Sequence, residues 1–240
     1  NSIVLSNCTK DTAVVRAGPL DNTGLDGSGD NAAAGPEGGD NAGADGQFRN
    51  TLVIVRNRNL EEIGRTRTDS ERGMVTIILG NCRDPIEIEY RGGDGATYFD
   101  EATGRSEPFP EGKRLRARYT TLPRHSGVTA YTEAAVRLME LAPGGPPTTI
   151  NALDVEAANR RIAEILTDQL PGALRPLKDG VPTLLDITRL PVPLNESNFK
   201  SPGTLRDNPG GQYGAVLAGL ARAGGTLVSS GADGSQGVAQ

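Results

Sequence analysis

The sequence predicts an α+β chain in which an antiparallel β-sandwich is followed by a small helical domain. Three observations carry this expectation. Between residues 51 and 122, short β-branched runs are separated by Gly, Asn, Asp and Pro, the pattern of strands and turns. From residue 125 onward, apolar residues recur at three- and four-residue spacing, interrupted by Pro- and Gly-rich connections. The change of period falls within residues 91–141, where RGGDGATYFDEATG ends the first pattern and HSGVTAYTEAAVRLMEL opens the second. The expected organisation is N-terminal strands at 1–16, an acidic Gly-rich loop at 17–47, a β-domain at 48–124, a helical domain at 125–225 and a flexible tail at 226–240.

Composition narrows the function classes. With 240 residues and 36% hydrophobic content the chain can bury a modest core, as two compact modules rather than one. Gly accounts for 32 residues, and aromatics for only 4% with no Trp, a balance that suits a turn-rich surface protein better than an aromatic-lined catalytic pocket. The net charge is −5 and no basic block is present, so nucleic acid is excluded as the main partner. No run approaches the ~18 apolar residues of a membrane span, and no signal-like segment precedes the body of the chain. A start at Asn1 without Met is what a mature, processed chain would show.

The elements follow in order. SIVL (2–5) and TAVVR (12–16) are short β-branched runs expected to be strands. Residues 17–47 contain nine glycines and six acidic residues but no Lys or Arg, which predicts a long solvated loop. Within it, Asp21, Asn22, Asp26, Asp30 and Asn31 offer oxygens that could surround a calcium ion. Their spacing does not match an EF-hand, so a solvated acidic loop is the favoured reading and calcium the alternative. No other cofactor is expected.

Strands are then expected at 51–57, 60–69, 73–80, 84–93 and 113–122, with a turn over 69–73. In IEIEY, Ile86, Ile88 and Tyr90 share one face and Glu87 and Glu89 the other, as on a half-buried antiparallel strand. In KRLRARYTTL, Leu115, Ala117 and Tyr119 stand opposite Arg114, Arg116 and Arg118 in the same way. Ser126 or Thr129 is placed to cap a first helix with Tyr131, Ala134, Ala135, Leu138 and Met139 on its apolar side, ended by APGGPP (142–147). Asn151 or Asp154 opens a second helix with the stripe Val155, Ala158, Ile162, Ile165 and Leu166. Arg160, Arg161 and Glu164 face water. Residues 171–209 are Pro-rich and hold at most short elements, and a third helix is expected over 212–223.

The order of TYFDEATG (97–104), LRARYTTL (115–122), VTAYTEAAVRLMEL (128–141), ALDVEAANRRIAEIL (152–166), DITRLPVP (186–193) and QYGAVLAGLARAGG (212–225) resembles a family of bacterial secreted proteins and lipoproteins. In that family a carboxypeptidase-regulatory-like, or transthyretin-like, β-sandwich precedes a helical segment opening with a "VTxLT" phrase. The usual Leu of that phrase is Tyr131 here, and residues 1–50 have no counterpart. The resemblance implies an Ig/transthyretin-like fold and a location outside the cell or on its surface, and carries no shared active site. In that setting Cys8 and Cys82, the only cysteines, are expected to form a disulfide.

No catalytic constellation stands out. His125 is the sole histidine; it adjoins Ser126, with no GxSxG elbow, and a structural or surface role is favoured. HExxH, P-loop and Rossmann fingerprints are absent. Asp100 and Glu101, with Thr103 and Gly104, are expected to build a turn in which Asp100 accepts backbone N–H bonds, rather than an acid–base pair. The sequence therefore points to a non-enzymatic, secreted cell-surface structural protein: a self-assembling subunit of an extracellular filament, or an adhesin. The alternative is a carbohydrate-binding or accessory module of a surface protein. About five strands are too few for a seven-stranded sandwich, and this makes the chain itself the expected partner, by head-to-tail exchange of residues 2–16 into an open sheet edge. The competing expectation is that those residues complete their own domain.

Overall fold

The computed structural model describes residues 2–5, 8–9, 13–16, 38–43, 48–71, 73, 75–100, 103–122, 125–169, 177–178 and 181–188. They form mixed strands and two helices, a broadly α+β arrangement. The strands are β1 (Ser2–Leu5), β2 (Ala13–Arg16), β3 (Gly38–Gly43), β4 (Leu52–Arg56), β5 (Glu62–Arg67), β6 (Val75–Ile78), β7 (Ile86–Arg91), β8 (Thr97–Asp100), β9 (Arg105–Pro108), β10 (Arg114–Tyr119) and β11 (His125–Val128). Helices α1 (Ala130–Glu140) and α2 (Ala152–Gln169) follow, then the two-residue strands β12 (Leu177–Lys178) and β13 (Val181–Pro182). The expected third helix and tail lie outside the described residues.

A five-stranded sheet has the order β11-β3-β6-β1-β2 and a four-stranded sheet the order β10-β7-β4-β5. The second is antiparallel throughout, whereas the first contains two parallel pairs, β1 with β6 and β11 with β3. One apolar cluster draws on both sheets. Ile3 and Leu5 of β1 and Ile77 of β6 join Val53, Val55, Ile88, Tyr90 and Ala117 of the other sheet, all essentially without exposed surface. Each such aliphatic side chain stabilises the fold by roughly 1.5–3 kcal/mol. A second cluster unites α1 and α2 through Tyr131, Val136, Met139, Val155 and Ala158, with Ile187 from the chain that follows.

Several sequence expectations need correction. Residues 17–47 are not one continuous loop, because β3 lies between β6 and β11 with backbone pairing on both sides. GGDNAG has little strand propensity, so ladder bonds to two neighbours decide its conformation. Residues 125–128 form β11 rather than the entry to a helix. Thr129 is the cap of α1: its side chain accepts from the Tyr131 and Thr132 amides, and Thr132 Oγ1 accepts from the Thr129 amide, a reciprocal capping box. The buried side of α1 is rotated from the expected one, since Glu133 and Val136 are buried while Leu138 is 40% exposed. On α2, Ile165 is likewise exposed and Ala163 and Thr167 are buried instead. Asn151 opens α2, its Oδ1 accepting the Leu153 amide at 2.9 Å.

The remaining expected strands and turns lie close to their sequence positions. At the 69–73 turn, the Gly73 amide donates to the Asp69 carbonyl at 3.2 Å and Gly73 adopts φ +66°, a region open to glycine at little cost. The hairpin β8–β9 packs beside the four-stranded sheet through an aromatic group in which Phe48 lies 5.6 Å from Tyr90, 5.9 Å from Tyr98 and 5.2 Å from Phe109, ring centre to ring centre.

Candidate functional site

The alternation of β7 and β10 does more than divide an inner from an outer face. Ladder register aligns Arg56, Glu87 and Arg118 in one row across β4, β7 and β10, and Ile54, Glu89 and Arg116 in the next. The outer face was expected to meet solvent, yet Glu87, Glu89, Arg116 and Arg118 are each at most 4% exposed. That expectation fails because α1 lies against β10 and brings Glu133 and Glu140 onto the charged rows.

The contacts interlock. Arg118 donates to Glu87 at 2.8 Å, and Arg56 Nη1 donates to both Glu87 at 3.1 Å and Glu89 at 2.9 Å. Arg91 Nε donates to Glu89 at 2.7 Å. Arg116 is the hub: its backbone amide and Nε donate to Glu133 Oε2 at 2.9 and 3.0 Å, its Nη2 reaches Glu133 Oε1 at 2.8 Å, and its Nη1 donates to Glu140. Arg137, one turn along α1, donates to Glu133 at 2.9 Å. Buried charges persist only when paired and hydrogen-bonded, and here each buried carboxylate holds at least two guanidiniums or a guanidinium and a backbone amide.

Electrostatics follow from this packing. Burial works against the charged form of Arg116, but hydrogen bonds and charges from Glu133 and Glu140 outweigh it and raise the guanidinium's pKa further. Burial would likewise raise the Glu140 carboxyl, yet its hydrogen bond to Arg116 and the charges of Arg116, Arg118 and Arg114 leave it below the ordinary carboxylate value. In the core, burial drives the phenols of Tyr90 and Tyr119 upward, and the Tyr119 hydroxyl donates to the Gly127 carbonyl, joining β10 to the β11 strand. A carboxylate held ionised by arginine is a weak proton acceptor. The network therefore attaches helix to sheet.

The residues singled out in the sequence do not meet there. Cys8 and Cys82 lie at disulfide-bonding distance within one chain, Cα–Cα 4.7 Å, joining the segment after β1 to the turn after β6. Asp21, Asn22, Asp26, Asp30 and Asn31 lie outside the described residues, as does Glu101. Among the described residues no group of three or more His, Cys, Asp or Glu side chains is placed to hold a metal ion. The Asp100 carbonyl accepts from the Gly104 amide at 2.7 Å and from Thr103 Oγ1 at 3.5 Å, and Gly104 takes φ +69° to close the β8–β9 hairpin. His125 opens β11, with its backbone paired to Asp40. No helix among the described residues is long and apolar enough to cross a membrane.

A cleft of about 510 Å³ opens between the end of α1 and the start of α2, lined by Leu138, Met139, Ile150, Asp154, Arg161 and the edge of Arg118. The sequence reading overlooked both this cleft and the ion network. Opposite charges alternating on two strands, Glu87 and Glu89 against Arg114, Arg116 and Arg118, were a usable signal for the network. Nothing in the sequence marked Glu133 as the group that would cover them. Comparison with protein families, curated proteins and solved structures finds no match to this chain.

Proposed function

We propose that this chain is a non-enzymatic structural protein of the bacterial cell surface, a subunit that assembles with copies of itself into a filament or adhesive layer. The observation that carries this reading is the position of the N-terminal hairpin. β1 lies between β6 and β2 with Ile3 and Leu5 fully buried, so this hairpin fills the core of a sheet whose other strands lie far from it in sequence. The 21 residues from 17 to 37 separate that hairpin from the next described strand. A hairpin with these properties can fill the same slot in a neighbour, because the hydrogen bonds and buried contacts are identical in either arrangement, with the Cys8–Cys82 bond then formed between chains. Two sheets sharing one apolar cluster support reading them as the layers of a transthyretin-like sandwich, and the likeness to secreted bacterial proteins supports the location.

Electron microscopy of concentrated protein, with and without residues 1–16, tests the reading. Fibres from the full chain, their loss on deletion, and a stabilised but unpolymerised truncated chain when the free 1–16 peptide fills the vacated slot are the expected results. A full chain that stays monomeric at every concentration would defeat it. The second reading, a carbohydrate-binding or accessory module, draws on the cleft beside α2, where Asn151, Asp154 and Arg161 are polar groups available to sugar hydroxyls. Binding on a glycan array that is lost in Asp154→Ala would favour that reading instead.

A further inference from the structure

The outer face of the four-stranded sheet is covered by α1 only in part. Beyond the helix, register places Arg67, Leu52, Arg91 and Arg114 in one row across all four strands. Their guanidinium-bearing side chains are 35%, 43% and 48% exposed for Arg67, Arg91 and Arg114, and Arg65 in the adjoining row is 57% exposed. Neighbouring strands lie ~4.8 Å apart, so the row's three arginines originate within ~14 Å of one another. Arg91 and Arg114 stand directly opposite, a like-charge pairing that destabilises a sheet.

The carboxylates nearby do not balance this rim. Buried Glu89 serves Arg91 by a hydrogen bond and Arg114 at 4.0 Å, and shares Arg56 with Glu87, so Arg91 and Arg114 have one common carboxylate between them. Glu62 pairs with Arg65, and Asp94, itself 87% exposed, pairs with Arg67. The result is a positively charged strip on a chain whose net charge is −5. Arg65, Arg67 and Arg91 already hold Glu62, Asp94 and Glu89, so an incoming carboxylate would meet Arg114 first and share the remaining N–H donors of its neighbours.

A complementary partner is written into the same sequence. Residues 17–37 contain Asp21, Asp26, Asp30 and Glu37 and no Lys, Arg or His. We propose that the arginine strip docks this acidic stretch from a second copy of the chain. The contact is heterologous, since strip and stretch are different surfaces, so each copy offers one of each and the contact propagates head to tail. It rests on the self-assembly reading above but uses a surface distinct from the N-terminal hairpin.

Three forms of the intact, oxidised chain test it by sedimentation and light scattering. They are the wild type, Arg67→Thr with Arg114→Thr, and a neutralised form carrying Asp21→Asn, Asp26→Asn, Asp30→Asn and Glu37→Gln. Arg91 is kept so that Glu89 retains partners. The wild type is expected to associate with concentration, at least ~10-fold more weakly when salt rises from about 0.05 to about 0.5 M, as screening shortens the reach of charge. Each variant alone should associate at least ~10-fold more weakly, while an equal mixture of the two should associate more strongly than either alone, because one complete docking contact is restored. Either variant associating like the wild type overturns the proposal. So does a monomeric wild type whose neutralised form binds the free 17–37 peptide, which would put the contact inside one chain. A strip that captures heparin but not the peptide also overturns it, in favour of a foreign polyanion. If the arginine variant fails to fold, the neutralised form, which alters no described residue, decides alone. Fibres that persist in both variants defeat the docking contact and leave the filament reading standing, whereas salt-sensitive dimers without any fibres defeat only the filament.

Discussion

Arg116 on β10 and Glu133 on α1 face each other across the sheet–helix boundary with Nη2 2.8 Å from Oε1, their side chains 5% and 2% exposed. This pair fixes how α1 sits on the sheet. Because Glu133 also accepts the Arg116 backbone amide, it holds the strand as well as the side chain.

Removing either partner alone should therefore be costly. Glu133→Ala is expected to destabilise the fold by ~3–5 kcal/mol in urea unfolding, the range for stranding a buried charge. Arg116→Met with Glu133→Leu should cost less than the two single changes added together, a coupling of at least ~1 kcal/mol. Simple additivity would show that the pair does not hold α1 in place.

Acid should loosen the same joint at Glu140. Its carboxyl is depressed in the folded chain relative to an unfolded value near ~4.3, so its stabilisation is complete above that value and is lost as pH falls through the lower folded one. Glu140→Gln should lower the melting temperature at neutral pH and flatten its decline below about pH 4.5. An unchanged acid slope in the variant would remove Glu140 from this account.

The Cys8–Cys82 pair closes a loop with a sequence separation of 74. Reduction should cost ~4 kcal/mol by the loss of chain-entropy restraint on the unfolded state, and lower the melting temperature accordingly. Thiol titration of denatured, unreduced protein should find no free cysteine. Two titratable thiols would contradict the bond.

Gly92 leaves no room for a side chain: a Cβ there would lie 2.1 Å from the Pro110 carbonyl oxygen and 2.7 Å from that of Phe109. Gly92→Ala should destabilise by roughly 2 kcal/mol or more, because backbone on the facing loop must move. At Gly112 nothing lies within 4 Å, and φ +80° alone opposes a side chain, so Gly112→Ala should cost only about 1 kcal/mol. Equal losses at the two positions would rule out close approach as the cause.

By itself the sequence determined what depends on neighbours along the chain. The β-branched runs became β4 to β7 and β10, one of the two caps offered for each helix started it, Thr129 rather than Ser126 for α1 and Asn151 rather than Asp154 for α2, and the Gly-rich bends fell where turns were expected. These follow from two-residue and 3.6-residue periods and from side chains that bond their own backbone. Only tertiary structure decided the rest. GGDNAG became a strand because β6 and β11 offered ladder bonds on both sides, against its own propensity. Glu87, Glu89, Arg116 and Arg118 obeyed the alternation read in the sequence, yet were buried, because a period of two assigns a residue to a face without saying what will cover it. The covering group, Glu133, lies 17 residues from Arg116, and its role is set by the angle at which α1 returns over the sheet. Charges dispersed singly through the sequence became a network and a positive strip only once register brought four strands side by side.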